Sequence, residues 1–235
     1  MEVVKRLFEL QTVQKEIEKL THKMQRIDSE VEGYRQRWTD AKKGLQAEES
    51  SLKKLREQLF SEELDLKEIE EHIGVLKERL YSGRGKSKEL AGMQRKVENL
   101  SKKKDEKETI VLELMDKLSS AEESFAKLSK DVHLRMDSLM RNIEEALLKR
   151  KEIEQEMEGL HLKERDIEAE IGREYLYLYN ELRKLLKYPV AVVKDGVCTG
   201  CSISLPSDTI KKLKENRDIV RCDSCGRILI MEGEI

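Results

Sequence analysis

From Leu10 to Leu80, apolar residues recur at spacings of three and four positions without losing phase. Every a position of this heptad pattern is apolar, and the d positions lapse only at Glu48 and Glu62. Such a pattern specifies a helix that pairs with another helix along one seam. No proline occurs before Pro189, so nothing of that kind interrupts the helix. The sequence therefore predicts a long coiled coil.

A short turn-like segment, Ser82–Ser87, separates this first helix from a second one. A new heptad pattern begins near Lys88 and continues to Leu185. Its phase advances by four residues beyond Val132, which is a stutter. We expect the supercoil to straighten or bend locally near residues 130–137.

The charges of the two helices predict an antiparallel hairpin within one chain. If the turn centres on Gly83–Gly85, the polar lapse Glu62 falls opposite Lys107, a polar lapse of the second helix. A parallel dimer would instead place Glu62 against Glu62, which is unfavourable. More broadly, this register sets an acidic stretch against a basic one, namely Glu62, Glu63, Asp65, Glu68, Glu70 and Glu71 against Lys102, Lys103, Lys104 and Lys107.

In this register the pairing ends near residue 167, so about twenty residues of the second helix project beyond the N-terminus. Pro189 disfavours helix at the residue before it, and we expect the helix to end around Lys187. The projecting part carries Tyr175, Tyr177 and Tyr179. We interpret these aromatic residues as a packing shelf for the C-terminal domain, the alternative being an exposed partner site.

All four cysteines form two C-x-x-C pairs, Cys198 with Cys201 and Cys222 with Cys225. Two sulfurs three positions apart on a tight turn can face one ion, and a tetrahedral Zn²⁺ needs two such turns. Gly200 and Gly226 supply the permissive backbone that these turns use. The sequence therefore predicts one zinc ion held by four thiolates.

Two other uses of the cysteines are disfavoured. No secretory signal precedes them, which argues against disulfides, and no βαβ pattern surrounds them, which argues against a redox dithiol. Four thiolates also fill the coordination sphere, which leaves no position for water or substrate. The zinc is therefore predicted to be structural.

Around the cysteines the sequence predicts a small β-rich zinc ribbon. The fold class is mainly α, with an antiparallel coiled-coil hairpin over residues 1–187, its tip at about 82–88, and the ribbon over residues 188–235. Inside the ribbon we predict a strand at Val190–Val193, a turn at Asp195–Gly196, a strand at Ile203–Leu205, a helix over Asp208–Asn216 with Ser207 as N-cap, and a closing strand at Arg227–Met231.

The tip segment Ser87–Gln94 and the run Cys222-x-x-Cys225-Gly226-Arg227-Ile228-Leu229, together with the hairpin, resemble those of the bacterial C4-type zinc-ribbon coiled-coil proteins. These are described as predicted nucleic-acid-binding zinc-ribbon proteins, and the resemblance covers the whole chain. It implies a structural zinc and partners that are proteins or nucleic acids. Flagellated or type III secreting members are similar to chaperones and adaptors that bind sigma-54, secretion-apparatus components and a flagellin transcript.

The residues themselves favour a protein without catalytic activity. No constellation of catalytic side chains is evident, and the histidines His22, His72, His133 and His161 are scattered singly along the helices. The chain shows neither a signal peptide nor an apolar run that could enter a membrane, so we expect a cytoplasmic protein. We predict an adaptor or chaperone that binds protein partners, with no small-molecule substrate.

The alternative function is RNA or DNA binding. The net charge is only −2, and the ribbon holds as many acidic as basic residues, so no global attraction to nucleic acid is implied. The candidate contacts in the ribbon are Lys211, Lys212, Lys214, Arg217, Arg221 and Arg227. Those at the tip that do not face the acidic stretch are Arg84, Lys86, Lys88, Arg95 and Lys96.

Overall fold

The structure is a computed structural model that describes residues 2–83, 86–215 and 219–234. Three helices dominate it: α1 over Glu2–Tyr81, α2 over Ser87–Glu170 and α3 over Arg173–Leu185. The predicted fold class, a long helical hairpin followed by a small region of strands, is confirmed. Within the described residues, no helix combines the length and the apolar character needed to span a bilayer.

The helix α1 ends in a turn at Ser82 and Gly83, and the described chain resumes at Lys86, just before α2. Gly83 has a φ of 65°, a left-handed conformation that glycine adopts without steric cost. The amide of Lys86 donates a hydrogen bond to Glu89 Oε2 at 3.2 Å, which caps the start of α2. The chain thus turns where the sequence clusters its turn-forming residues, and residues 84 and 85 lie outside the described part.

Residues Glu32–Ile143 form one compact unit, in which α1 and α2 run antiparallel. Lys107 forms an ion pair with Glu62, as the hairpin register predicts, and a second one with Asp65 at 2.7 Å. These contacts raise the pKa of the Lys107 ammonium, chiefly through its hydrogen bond to Asp65. The predicted register is therefore confirmed at its two polar lapses.

The wider prediction of four lysines facing an acidic stretch is only half right. Lys104 contacts Glu70 on the facing helix at 2.9 Å. Lys102 and Lys103 have no ion pair among the described residues, and both are exposed. A helix turns by about 100° per residue, so neighbours of a seam lysine need not reach the partner helix.

The stutter of α2 lies earlier than predicted. The half-buried stripe passes through Phe125, Ser129 and Val132, while Leu128 is 41 % exposed. The change of phase therefore falls at residues 125–129 and not beyond Val132. Ser129 is polar yet half-buried, so the apolar pattern of the sequence does not reveal where the phase changes.

The second helix is broken, so the prediction that about twenty of its residues project beyond the N-terminus is wrong, although helical structure does end near Lys187, at Leu185. The helix α2 ends at Glu170, Gly172 takes an extended conformation with ψ of 140°, and α3 folds back against the start of α1. The reversal leaves Tyr179 only 1 % exposed, whereas a projecting helix would leave it in water. Burying a large aromatic side chain outweighs the few helical hydrogen bonds lost at the break.

The three tyrosines of α3 have different environments. Tyr179 is buried and Tyr175 packs against the same core, so the packing-shelf interpretation holds for these two residues. Tyr177 is 69 % exposed on the opposite face. The core that they join consists of Leu7, Leu10, Val13, Ile167, Ile171, Tyr179, Leu182, Val190, Ile228 and Ile230.

The C-terminal residues form a four-stranded sheet in the order β3-β2-β1-β4. Its strands are β1 over Val190–Lys194, β2 over Val197–Cys198, β3 over Ile203–Ser204 and β4 over Ile228–Met231. The strand β1 pairs antiparallel with β2 and parallel with β4. A two-residue turn at Asp195 and Gly196, both with positive φ, joins β1 to β2 as predicted.

The short helix α4 spans Ser207–Glu215 and begins one residue before its predicted start. It buries Leu213 in a second hydrophobic cluster, distinct from the one that contains Tyr179. A single 3-10 turn, Glu232–Glu234, follows β4. The ribbon belongs to the same compact unit as the helical residues Met1–Val31, so its core crosses the boundary that the sequence places after residue 187.

Candidate metal centre

The four cysteine sulfurs converge at one point. All four Sγ atoms lie within 4.8 Å of one another, with Cys198 and Cys225 separated by 3.9 Å and Cys201 and Cys222 by 3.8 Å. A tetrahedral Zn²⁺ with Zn–S bonds of about 2.3 Å requires sulfur separations of about 3.8 Å. The donor set and its spacing therefore fit one structural zinc ion, as the sequence predicts.

The two C-x-x-C turns are built in the same way. The Ser202 amide donates to the Cys198 carbonyl at 2.7 Å, and the Gly226 amide donates to the Cys222 carbonyl at 2.8 Å. The residue after the second cysteine is left-handed in both turns, with φ of 60° at Ser202 and 73° at Gly226. This conformation turns both sulfurs of a pair to the same side.

Gly200 has a different role from the one that the sequence suggested. It has no left-handed φ, but the Arg227 side chain crosses directly over it. A Cβ at residue 200 would lie 2.4 Å from Arg227 Cδ and 3.1 Å from Ala191 Cβ. A side chain at residue 200 would force Arg227 to move, so close packing favours glycine here, whereas Ser202 tolerates the left-handed position.

The environments of the thiols differ when no metal is bound. Burial raises the pKa of the Cys198 thiol to about 12. Burial also raises the pKa of Cys225, but hydrogen bonds from the Arg227 amide and side chain outweigh it and lower that pKa to about 7. Zinc must displace the protons that remain, so its affinity is expected to rise with pH.

Hydrogen bonds between side chains and backbone groups hold the metal-binding ribbon against the helices. Gln11 of α1 is buried, and its side-chain amide both donates to the Val190 carbonyl at 2.8 Å and accepts from the Val190 amide at 2.7 Å. Arg227 Nε donates to the Tyr188 carbonyl at 2.9 Å. The first strand and the second cysteine turn are thus both anchored where the helices end.

Two of the predicted contact residues in the ribbon have hydrogen-bond or packing partners within the ribbon. Arg227 lies half-buried over Gly200, and Arg221 Nε donates to the Gly226 carbonyl at 2.9 Å. The lysines of α4 are exposed, namely Lys211, Lys212 and Lys214. Arg217 lies outside the described residues.

The basic residues predicted at the tip face solvent. Lys86, Lys88, Arg95 and Lys96 are all exposed, and in the described ranges none of these side chains forms an ion pair. Arg84 lies outside those ranges. The structure therefore places one exposed cation just before α2 and three on its first turns.

Sequence reasoning missed the residues that join the ribbon to the helices. Gln11 reads as one polar residue among many on α1, and Gln14 likewise, although its Oε1 accepts a hydrogen bond from the Tyr179 hydroxyl at 2.8 Å. The sequence does contain one signal of this junction, because the start of α1 departs from the usual pattern of one apolar and one polar face. Leu7, Leu10 and Val13 surround these glutamines, which makes the start of α1 apolar on more than one side.

The fold and the four-cysteine centre define a zinc-ribbon protein carried on a helical hairpin. Comparison with family models agrees with both parts: residues 197–229 match the C4-type zinc ribbon domain, and residues 9–186 match the CT398-like coiled coil hairpin domain. The chain belongs to this CT398-like hairpin family. The resemblance inferred from its motifs is thereby confirmed.

Several solved structures share the fold. CT398 from Chlamydia trachomatis is 20 % identical over 98 % of both chains with a TM-score of 0.80. A protein from Mycobacterium smegmatis is 16 % identical over 97 % of this chain and 98 % of its own, also with a TM-score of 0.80. HP0958 from Helicobacter pylori is 18 % identical over 98 % of both chains with a TM-score of 0.52. No curated protein matches the chain.

Proposed function

We propose that this protein is a non-enzymatic adaptor or chaperone that binds protein partners. The observation that carries the proposal is the exposure of large apolar side chains on helices: Leu185 is 83 % exposed, Tyr177 69 % and Tyr81 86 %. Aromatic and aliphatic residues exposed in this way serve as anchors when an interface buries them. Tyr177 and Leu185 lie on one short helix, α3, that the buried core holds in place.

The zinc centre supports the same proposal. Four sulfurs complete a tetrahedral sphere, so the ion would shape the ribbon rather than bind a substrate. Because the ribbon is fixed to the helical core through Gln11, it can act as a rigid recognition element. By family resemblance, sigma-54 and components of secretion or flagellar systems are the first partners to test, in the cytoplasm.

The test is partner capture with the intact chain. The tagged protein is crosslinked in bacterial cells, purified and compared by quantitative mass spectrometry with a tag-only control. We expect defined proteins to be enriched, and to be lost when Tyr177→Ser and Leu185→Ser are combined, because the apolar anchors are removed. The matched control combines Asn180→Ser and Lys184→Ser, two exposed polar positions of the same helix. Absence of any enrichment over the tag-only control refutes the adaptor function.

The second candidate function is RNA or DNA binding at the hairpin tip. Lys88, Arg95 and Lys96 support it, because they are exposed and form no ion pair within the described part of the chain. Such side chains are available to neutralise phosphates. The ribbon is less suited, since Arg221 and Arg227 donate hydrogen bonds to its own backbone.

A salt titration tests this second candidate. Binding of a mixed RNA pool should be measurable at low salt and should weaken as salt rises, with a slope that reports the number of phosphates contacted. Replacing Lys88, Arg95 and Lys96 by alanine should reduce both affinity and slope. The control replaces Lys149, Lys151 and Lys163, three exposed lysines elsewhere on α2. Equal losses in both triple variants would rule out a tip site.

A further inference from the structure

An open groove runs along α2 within the compact unit formed by Met1–Val31 and Glu144–Ile235. It has a volume of about 570 Å³, and we call it the acidic groove. Met24 of α1 and Met157 of α2 supply its apolar surface, and both are half-buried. Its remaining lining residues are Glu154, Glu158, His161, Glu164, Arg165 and Glu168.

The carboxylates of the groove outnumber its cations. Two of them have partners, because Arg150 contacts Glu154 at 3.4 Å, and Glu164 accepts from Gln14 Nε2 at 2.8 Å and contacts His161 Nδ1 at 3.1 Å. The side-chain carboxylates of Glu158 and Glu168 have neither an ion pair nor a hydrogen bond among the described residues. Arg165 is the one arginine or lysine in the lining, against four glutamates, so the groove is negative and complements a positive occupant.

Methionine makes the apolar part of this surface adaptable. Its unbranched thioether side chain fills irregular gaps and is over-represented where a surface accepts varied partners. Met24 and Met157 come from two different helices, so their side chains form a floor between α1 and α2. Such a floor accepts the apolar knobs of a helix, spaced three and four residues apart.

The groove is continuous with the surface on which α3 already packs. Glu164, at its edge, is linked through Gln14 to the buried hydroxyl of Tyr179 in α3. Burial, and after it the charge of Glu164, raise the pKa of the Glu168 carboxyl, and the nearby positive charge of Arg183 in α3 offsets a smaller part of this rise. The neighbouring stretch is thus occupied by an amphipathic helix that directs a basic residue at the same acidic rim.

We propose that the acidic groove is a docking site for an amphipathic helix of a partner protein, with apolar residues on one face and lysines or arginines beside them. The apolar face contacts Met24 and Met157, and the basic residues pair with Glu158 and Glu168. This inference rests on the proposed adaptor function and assigns it a second surface, in addition to Tyr177 and Leu185 of α3. Anionic occupants such as nucleic acid are repelled by the same carboxylates.

The test uses a designed peptide and the full chain loaded with zinc. The probe is a fluorescein-labelled helix of about four turns, with leucines at every third and fourth position and lysines beside them. A second probe of the same length carries glutamate in place of lysine. Binding is measured by fluorescence anisotropy at low ionic strength, and circular dichroism verifies that each variant remains helical.

Charge reversal in the groove supplies the variants. The groove variant combines Glu158→Lys and Glu168→Lys, and the matched control combines Glu152→Lys and Glu156→Lys, exposed residues of α2 outside the groove. We expect the basic probe to bind at least about tenfold more weakly to the groove variant and within about twofold of wild type to the control. A photoreactive residue at position 161 should crosslink the probe, and one at position 156 should not.

Three results would overturn the inference: no binding of the basic probe to the wild-type chain, equal weakening in both double variants, or equal binding of the acidic probe. These results are distinguishable from failure of the proposed function. If partners are captured from cells but remain bound to the groove variant, the adaptor function stands and the groove is not its surface. If no partner is captured, the adaptor function is refuted, whether or not the peptide binds.

Discussion

The two compact units of the molecule bury their apolar residues to different extents. In the unit formed by Met1–Val31 and Glu144–Ile235, Leu7, Leu10 and Ile228 are completely inaccessible. In the unit Glu32–Ile143, the most buried side chain, Leu114, keeps 6 % of its surface exposed. All the largest fully buried side chains of the described chain belong to the first unit, which we call the base.

The difference follows from geometry. Two paired helices bury one stripe of each helix, and the a and d residues of that stripe remain open at both sides of the seam. In the base, α3 and the sheet cover the open sides, so the start of α1 is enclosed from several directions. Stability of the base therefore depends on distant parts of the chain, whereas that of the other unit depends on repeated local pairing.

Removal of zinc is expected to give the largest difference in stability between the two units. Cys222→Ser should abolish tight zinc binding, which contributes roughly 10–16 kcal/mol in comparable small sites, and should unfold the ribbon. Hydrogen exchange of β1 and β4 amides should then accelerate by orders of magnitude. The fluorescence of Trp38, the single tryptophan, should not change, because it reports on Glu32–Ile143. Ser224→Ala, inside the same turn, is the control.

If the fluorescence of Trp38 changes as strongly as the hydrogen exchange of the ribbon when zinc is lost, the two units are not independent and the comparison fails.

A related measurement is the pH dependence of zinc binding. Because burial holds the pKa of Cys198 at about 12, zinc binding at neutral pH must release a proton, and affinity should fall as pH falls.

Truncation of matched leucines probes the two kinds of core. Leu10→Ala should cost about 3–5 kcal/mol, because the cavity is enclosed on all sides. Leu59→Ala, at a half-buried seam position, should cost about 1–2 kcal/mol, since water already reaches the site. Both losses of stability are measured by hydrogen exchange of peptides from each unit at increasing denaturant concentration. Equal costs would show that the base is no better packed than the seam.

The Gln11 contact tests whether the ribbon is anchored by a single side chain. Gln11→Ala leaves the amide and the carbonyl of Val190 without partners in a buried site, and we expect a loss of about 2–4 kcal/mol. Faster exchange should appear first at the start of β1. The matched control is Gln36→Ala, at an exposed position of the same helix, which should change stability by less than about 0.5 kcal/mol.

The smallest expected effect concerns a buried hydroxyl. Tyr179→Phe removes one hydrogen bond to Gln14 and should cost about 1 kcal/mol at neutral pH. Burial raises the pKa of Tyr179 to about 12, so the wild-type base should lose stability as the pH rises from about 10 towards 12, because unfolding then releases the proton. The phenylalanine variant should lack this part of the pH dependence in thermal melts. An equal fall in thermal stability in both proteins would show that other groups cause the pH dependence.

Much of the fold could be predicted from the sequence because its rules are local. Heptads without proline specify the two long helices, and the opposed lapses Glu62 and Lys107 specify their register. The spacing of the cysteines specifies a tetrahedral thiolate site, since few other arrangements bring four sulfurs of two short turns to one ion. Each of these signals consists of residue types at fixed separations along the chain.

The reversal at Gly172 had no such signal, because a glycine inside a heptad pattern is compatible with a continuous helix. Only burial of Tyr179 against Leu7 and Leu10, more than 160 residues away, makes the broken helix more stable. Gln11 and Arg227 likewise acquire their roles from backbone groups that approach them only in the folded chain. Local pattern thus determined the hairpin and the zinc ligands, and long-range packing decided how the ribbon is joined to the helices.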